Sequence, residues 1–539
     1  MGTVCSLGIK DVFADDVVEK DVCSSDYVEE GQLKEVDIEG HTLVLLRERG
    51  QVRAFSGLCP HYKAPLNKAA LDPGIIRCSW HGACFDSVTG DIEDFPGVDS
   101  LARFEVEESD GVVKVRASKA LLREGKRQRP VCKMTEDAGK VVVIGGGGAG
   151  FNVVKTLREE GYGGPVSLIS AEHCLPYDRP RLSKVFRVEH KDIELRDAAW
   201  YESADIELLL DKEIISIDAS EKFVITRQGD KIEYSNLVLA VGSKPKELGV
   251  PGENLKGVTG LRSIDQLENI YSNIAGEGKH VVIIGSSYIG MEVAGLVVDK
   301  VEMVTVVGRD SFPFRKSLGE KIGKVVMKIH KEKGIQFRML EEVVEFIGAE
   351  GAVEKVKLKN SEDIKADLVI IAVGVDPRSE IYSAIPGLDL DSCGRIMVDK
   401  SMATSVPGIW AAGDIVNFPL PMYGDQRVSI GHWGVAMYLG RQAALSIMGR
   451  SAELNTIPFY WTVQCGYSIR FAGHPDGFDD IVMRHQKEDR KICAFYCKDD
   501  HVLAVATLNR DPVAAQFANL RRSGRQLRKA DALSWAESF

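Results

Sequence analysis

Two strand–glycine turn–helix–strand patterns, whose first glycines are Gly145 and Gly285, follow a run of short alternating strands. Together they predict a multidomain chain. The expected order is a small all-β unit, an α/β portion with two Rossmann-type nucleotide sites, and a small α/β unit at the C-terminus. The chain has 539 residues, which is roughly three or four domains' worth. The expected divisions are an N-terminal segment over residues 1–27, the all-β unit over 28–118 and a linker over 119–139. The first nucleotide domain covers 140–262 and 380–450, the second 263–379, and the C-terminal domain 451–539.

Composition narrows the class. Apolar residues make up 44% and charged residues 27%, as in an ordinary globular protein. The net charge of −11 excludes a basic nucleic-acid footprint. No apolar run reaches membrane-spanning length, and no signal peptide opens the chain. The eleven cysteines are scattered, which suits a reducing, cytoplasmic setting where thiols act as ligands. The opening "MGTVCSLGIK" fits an acylation pattern, with Gly2 for myristate, Ser6 as its determinant and Cys5 for palmitate. Two acyl chains are needed for a stable peripheral membrane anchor. The acid-rich residues that follow do not resemble a mitochondrial presequence.

In the all-β unit, "HTLVLLRERGQVRAFSG" reads as two strands turning at Arg49-Gly50. "SLARFEVEESDGVVKVRAS" reads as a hairpin with Asp110-Gly111 as its turn. Between them lie two Cys-His pairs, Cys59-x-His61 and Cys78-x-x-His81. Each short loop offers one thiol and one imidazole. These residue types suit either zinc or a two-iron cluster, and the pattern alone leaves both open. The basic stretch over 119–139 is polar and aperiodic, as expected of a solvated tether.

The first glycine turn is Gly145-x-Gly147-x-x-Gly150, directly after the strand "VVVI". Its glycines serve the tight turn, the approach of a pyrophosphate and close helix packing. The phosphate charge then rests on the helix N-terminus. Glu172, past the next strand, is placed to bind ribose hydroxyls. The second turn reads Gly285-x-Ser287-x-x-Gly290, with serine at the middle position. Its next strand ends in Gly308-Arg309, where an acid would favour NAD. Arg309 instead leans the reading toward a 2′-phosphate, so NADPH is favoured and NADH stays open. A third signal, "TSVPGIWAAGDIV", delivers Gly413 and Asp414 at a strand-to-helix junction, where the carboxylate suits a polyol chain.

"AEHCLPYDRPRLSK" resembles the "LPYxRPxLSK" segment of apoptosis-inducing-factor and ferredoxin-reductase flavoproteins. The "AAGD" turn and the strands "LVLAVGSKP" and "LVIIAVGVDP" fit the same family. The resemblance implies FAD in the first Rossmann unit, with Arg179 and Pro180 close to it and Lys184 beside its isoalloxazine. It also implies that Glu292 pairs with that lysine near the nicotinamide, and that Trp433 stands by the flavin. An ammonium there stabilises negative charge on the reduced ring, and the carboxylate keeps it oriented. His432 has no role by this reading and is treated as structural.

A disulfide reductase carries a dithiol after the first unit, but this chain has only Cys174 there. Reducing equivalents therefore need another outlet. Zinc has no redox chemistry, whereas a Rieske [2Fe–2S] centre accepts single electrons. "CPHYKAPL" and "CSWHGACFDSVTG" resemble Rieske loops. This implies Cys59 and Cys78 as thiolate ligands, and His61 and His81 as imidazole ligands. High-potential members of that family join the loops by a disulfide, but Ala64 and Trp80 stand in those places. The resemblance thus implies a centre toward the low end of the roughly −150 to +300 mV Rieske range.

Nearly the whole chain after about residue 28 resembles a Rieske-bearing member of the apoptosis-inducing-factor flavoproteins. The expected fold is an all-β Rieske [2Fe–2S] domain, then a two-Rossmann FAD/NAD(P)-binding flavoprotein and a small α/β reductase-type domain. The expected activity is NAD(P)H oxidation through FAD and the Rieske centre to an unidentified one-electron acceptor. The resemblance also admits two other roles, the reductase part of an oxygenase system and a cell-death signalling protein. It further admits a mitochondrial location.

Overall fold

The computed structural model describes residues 16–135, 138–450, 454–486 and 490–539. Gly2, Cys5 and Ser6, which carry the acylation reading, lie outside them.

A six-stranded antiparallel sheet forms the body of the N-terminal unit. Its order is Val17–Ser24, Val112–Ser118, Arg103–Ser109, Gln51–Ser56, His41–Glu48 and Leu33–Ile38. Both expected turns are present. Arg49 and Gly50 have φ of 54° and 74°, and Asp110 and Gly111 have 51° and 76°, the left-handed pair that matches strand twist in a two-residue hairpin. The strand His41–Glu48 buries both of its faces. Leu43 and Leu45 pack with Phe104, Val113 and Val115 in the unit's own core. Val44 and Leu46 point the other way, with Phe55, Ile76 and Phe85, into a core shared with the first nucleotide domain. This two-faced burial is why the strand reads as an unbroken apolar run.

Three expected boundaries differ. The strand Val17–Ser24 pairs along Val112–Ser118, so the all-β unit begins upstream of residue 28. The described residues of the expected tether over 119–139 are not free. Lys119–Glu124 is a short helix whose N-cap Ser118 accepts from the Leu121 N–H, and Lys126–Arg127 pairs with Ser100–Leu101. Its basic side chains find acids on both neighbouring units: Lys126 reaches Asp99 at 2.8 Å and Arg129 reaches Glu160 at 2.9 Å. Finally, Val258–Thr259 joins the second nucleotide sheet, so the chain crosses between the two domains earlier than residue 262. The crossing strands Ser243–Pro245 and Val375–Pro377 pair antiparallel.

The first nucleotide domain carries a parallel sheet in the order Ile206–Leu209, Val166–Ile169, Val141–Ile144, Asn236–Leu239 and Ile409–Ala411. The second has Val258–Thr259, Leu368–Ile371, His280–Ile284, Met303–Gly308 and Gln336–Met339, also parallel. In both sheets the glycine-turn strand is flanked by strands from different halves of the domain. A crevice opens there at the carboxyl ends, which is where open α/β sheets bind ligands. The C-terminal unit is a five-stranded antiparallel sheet covered by the helix Asp511–Arg522.

Candidate redox site

A cavity of about 530 Å³ runs between the two nucleotide domains, under the C-terminal sheet. Both glycine turns open onto it. Gly145 has φ 120°, and a Cβ there would stand 2.2 Å from the Ala240 carbonyl oxygen, so only glycine fits. At Gly147 a Cβ would meet nothing closer than Arg179 Nε at 4.0 Å. That open cradle caps the helix Gly148–Glu159, whose first N–H groups have no side-chain cap. Gly150 packs against the Gly145 carbonyl, where a Cβ would come within 1.9 Å. The second turn repeats this: Gly285 has φ 116° and lies under Ala372, and Gly290 sits on Gly285. Ser287 lines the cavity in the middle position and caps nothing.

The segment "RPRLSK" forms a short 3₁₀ turn, Arg179–Ser183, started by Pro180. It brings Lys184 to the cavity wall. Lys184 Nζ donates to Glu292 Oε2 at 2.8 Å and to the Pro180 carbonyl at 3.3 Å. The other Glu292 oxygen accepts from Thr462 Oγ1 at 2.6 Å, and Ser183 Oγ also donates to the carboxylate. Trp433 begins the helix Trp433–Ile447 and lies on Gly148, where a Cβ would touch its ring at 2.9 Å. His432 also lines the cavity. Burial, aided by the Lys184 charge, lowers its pKa to about 3, so it is neutral. Gly413 and Asp414 also line the cavity, and Asp414 accepts from Ser243 Oγ at 3.0 Å and Arg262 at 3.3 Å.

Glu172 is set back from the cavity. Its carboxylate accepts from the Tyr177 hydroxyl at 2.7 Å and from the Arg179 guanidinium, and Arg179 is what lines the wall. Burial pushes the Glu172 carboxyl up, but Arg179, with the Tyr177 hydroxyl and Arg262, holds the group below its ordinary value. Arg309 lies apart from these groups, with its side chain 74% exposed and Nε 3.8 Å from Glu342.

The two Cys-His loops have nearly the same backbone. The Cys59 N–H donates to the Ala64 carbonyl and the Cys78 N–H to the Ala83 carbonyl, both at 2.8 Å. In each loop a residue of positive φ, Lys63 or Gly82, returns its N–H to the cysteine carbonyl. The loops bring His61 Nδ1 within 3.2 Å of His81 Nδ1. Cys59 and Cys78 are buried free thiols in contact. Their mutual hydrogen bond pushes Cys59 well up and holds Cys78 down, the latter aided by the Trp80 and His81 N–H groups. Burial keeps both imidazoles neutral, His61 at about 3. Neutral imidazole and thiolate are the forms that bind metal, and of the two thiols only Cys78 is eased toward thiolate here.

Among the described residues, no three His, Cys, Asp or Glu side chains converge on one ion. The donors come as a sulfur pair and a nitrogen pair, which matches a two-iron centre with one iron per pair. A structural zinc site needs four donors around one ion.

The Rieske-like loops press onto the cavity. Tyr62 stacks on His61 at 3.7 Å, lies under Arg181 and donates to Asp178, so it grips the "YDRPR" segment. Trp461 stands between the halves. Its ring is 4.7 Å from His81, 6.0 Å from His61 and 4.9 Å from His432, and it lines the cavity. Phe459, on the same face of the strand, sits where a Cβ at Gly82 would come within 2.6 Å. Behind the second loop, fully buried Arg77 donates to Gly82 O at 2.9 Å and Asn519 Oδ1 at 2.7 Å, beside Asp94 at 3.5 Å. Trp461, Tyr62 and Arg77 were not singled out by sequence reasoning. For Trp461 the three consecutive aromatics of "FYWTVQ" were the available signal, for they load both faces of one strand with bulk.

These features define a flavoprotein oxidoreductase with two nucleotide sites and its own Rieske domain. The chain belongs to the pyridine nucleotide-disulphide oxidoreductase family, whose model matches residues 139–440. The Rieske [2Fe-2S] domain model matches 19–105 and the reductase C-terminal model 459–537. The chain is similar to apoptosis-inducing factor 3 of Homo sapiens, at 39% identity over 96% of this chain and 86% of the relative. It is also similar to the ferredoxin–NAD(+) reductase subunit of the benzene 1,2-dioxygenase system of Pseudomonas putida, at 32% over 69% of this chain and 90% of that protein. Among solved structures it is similar to the covalent putidaredoxin reductase–putidaredoxin complex. There the TM-score is 0.70 and the identity 26%, over 75% of this chain and 100% of that one. FAD, NAD(P)H and a [2Fe–2S] cluster are its cofactors.

Proposed function

We propose that this chain oxidises NAD(P)H and releases the electrons singly, through its own Rieske domain, to a one-electron acceptor protein. The observation that carries this reading is Trp461, whose ring packs on both imidazoles of the Cys-His loops and also forms part of the cavity wall. When bound, FAD supplies the exchange between two-electron and one-electron chemistry, and the [2Fe–2S] centre supplies one-electron storage.

The protein's own groups then have separable tasks. The uncapped helix at Gly147 and the Gly145 and Gly150 contacts support a seat for the FAD pyrophosphate. Arg179, fixed by Glu172, and Asp414, fixed by Ser243, are suited to the ribose and polyol ends. Ser287, Gly285 and Gly290 support the nicotinamide nucleotide. Lys184 holds positive charge at the cavity wall, and Glu292 orients it. Trp433 closes one side against water, and His432 stays neutral beside it. Cys59, Cys78, His61 and His81 hold the iron centre.

The acceptor is of the ferredoxin type by analogy with the reductase relatives. Gly2 and Cys5 acylation would place the reaction at a cytoplasmic membrane surface. A mitochondrial site is the other reading, and similarity to apoptosis-inducing factor 3 is its support.

The test is Trp461→Leu. Flavin reduction by NAD(P)H should continue, while bleaching of the iron–sulfur absorbance slows by about ten-fold or more, as small losses of contact geometry do. Bleaching at the unaltered rate would overturn this use of the interface.

A further inference from the structure

We infer that the electron donor is NADPH and that Arg309, Arg315 and Lys316 seat its 2′-phosphate. This deepens the reading of the second glycine turn as the nicotinamide nucleotide site. The strand Met303–Gly308 ends where an acid would bind both ribose hydroxyls and repel a 2′-phosphate. Here that position is Gly308, which has no carboxylate to do either. A Cβ there would stand 2.8 Å from both Ser286 Oγ and Met339 Cε. The next side chain, Arg309, is 74% exposed, and its ion partner Glu342 lies 3.8 Å away while also engaging Lys359 at 3.1 Å. Such a surface pair holds a guanidinium weakly.

The chain after Arg309 folds back toward the turn. The Phe314 N–H donates to the Ser286 carbonyl at 3.1 Å, and the Phe314 ring is buried. This anchor carries Arg315 and Lys316 beside the same turn, with side chains 53% and 86% exposed. Asp310, the acid of this loop, faces both of them, at 3.8 and 4.0 Å. Buried Glu341 turns its carboxylate to the Asn360 N–H. Three exposed cations, Arg309, Arg315 and Lys316, thus lie on the chain after this strand, with their acid partners no closer than 3.8 Å. A planar guanidinium is well matched to phosphate oxygens.

The test is calorimetric titration of the FAD-loaded protein with 2′,5′-ADP and with 5′-AMP. The 2′-phosphate compound should bind about ten- to a hundred-fold tighter, the range of hydrogen bonds to a charged group. Arg309→Leu should erase that difference and leave 5′-AMP affinity within about two-fold, and Arg309→Lys should restore part of it. In turnover the same discrimination should appear in KM for NADPH over NADH rather than in kcat. Equal binding of the two compounds, or discrimination untouched in Arg309→Leu, overturns the proposal. Retained discrimination with flavin reduced by neither nucleotide would fault the oxidoreductase reading and support the phosphate seat.

Discussion

The substitution Glu292→Gln tests the charge arrangement at the cavity directly. Glu292 is the acceptor for three donors: Lys184 Nζ at 2.8 Å, Thr462 Oγ1 at 2.6 Å and Ser183 Oγ. Its side chain is 5% exposed and that of Lys184 18%. Glutamine keeps the volume, but only one of its two terminal atoms accepts. Its NH₂ end must therefore face either Thr462 or the Lys184–Ser183 side, and a buried donor without its acceptor costs about 1–3 kcal/mol. Removing one partner of a buried ion pair costs about 3–5 kcal/mol in all. Partial exposure of Lys184 screens its stranded charge, so the expected loss is about 3 kcal/mol, at the low end. If the same interaction orients the ammonium for reaction, flavin reduction slows by about a hundred-fold, since each 1.36 kcal/mol is a factor of ten. Denaturant melts of the FAD-loaded protein measure the first effect, and stopped-flow absorbance of the flavin measures the second. A destabilised variant that reduces flavin at the normal rate would make the pair purely structural. A variant unchanged in both would refute the burial argument itself.

Two further outcomes are expected. Arg77→Met strips the cation from beside buried Asp94, and should destabilise the protein by about 3–5 kcal/mol at neutral pH. Burial already raises the Asp94 pKa. In the variant the folded form therefore binds a proton at higher pH than the unfolded form does, and the loss should shrink as pH falls through that raised pKa. Denaturant melts across pH check this, and a loss independent of pH would refute the stranded-charge account. For the N-terminus, intact-mass measurement of cell-derived protein should show myristate on Gly2 and its absence in Gly2→Ala, with the variant released from the membrane fraction. An unmodified Gly2 in the parent protein ends the anchor reading.

Much of the site could be read locally. Glycine turns depend on a few backbone angles within six residues, so Gly145, Gly147 and Gly150 announce themselves. The Cys-His loops are equally local, because each folds on hydrogen bonds within its own few residues. Hairpin turns at Arg49-Gly50 and Asp110-Gly111 follow from the same short-range chemistry. The pairing of Lys184 with Glu292 was implied by resemblance rather than by pattern, since 108 positions separate them. The strand Val17–Ser24 was missed because its partner Val112–Ser118 lies far along the chain. Residues 119–139 look like a solvated tether because basic side chains show no periodicity, yet their acids wait on other domains.

The sequence by itself determined the class of each unit, the nucleotide turns and the two Cys-His pairs, because these rest on residue type and short spacing. Only the tertiary structure decided that the Rieske-like loops lie against the cavity through Trp461, that Tyr62 grips Asp178, and that Arg77 is buried behind the second loop. Those facts depend on surfaces from distant segments meeting, and packing between domains leaves no local signature along the chain.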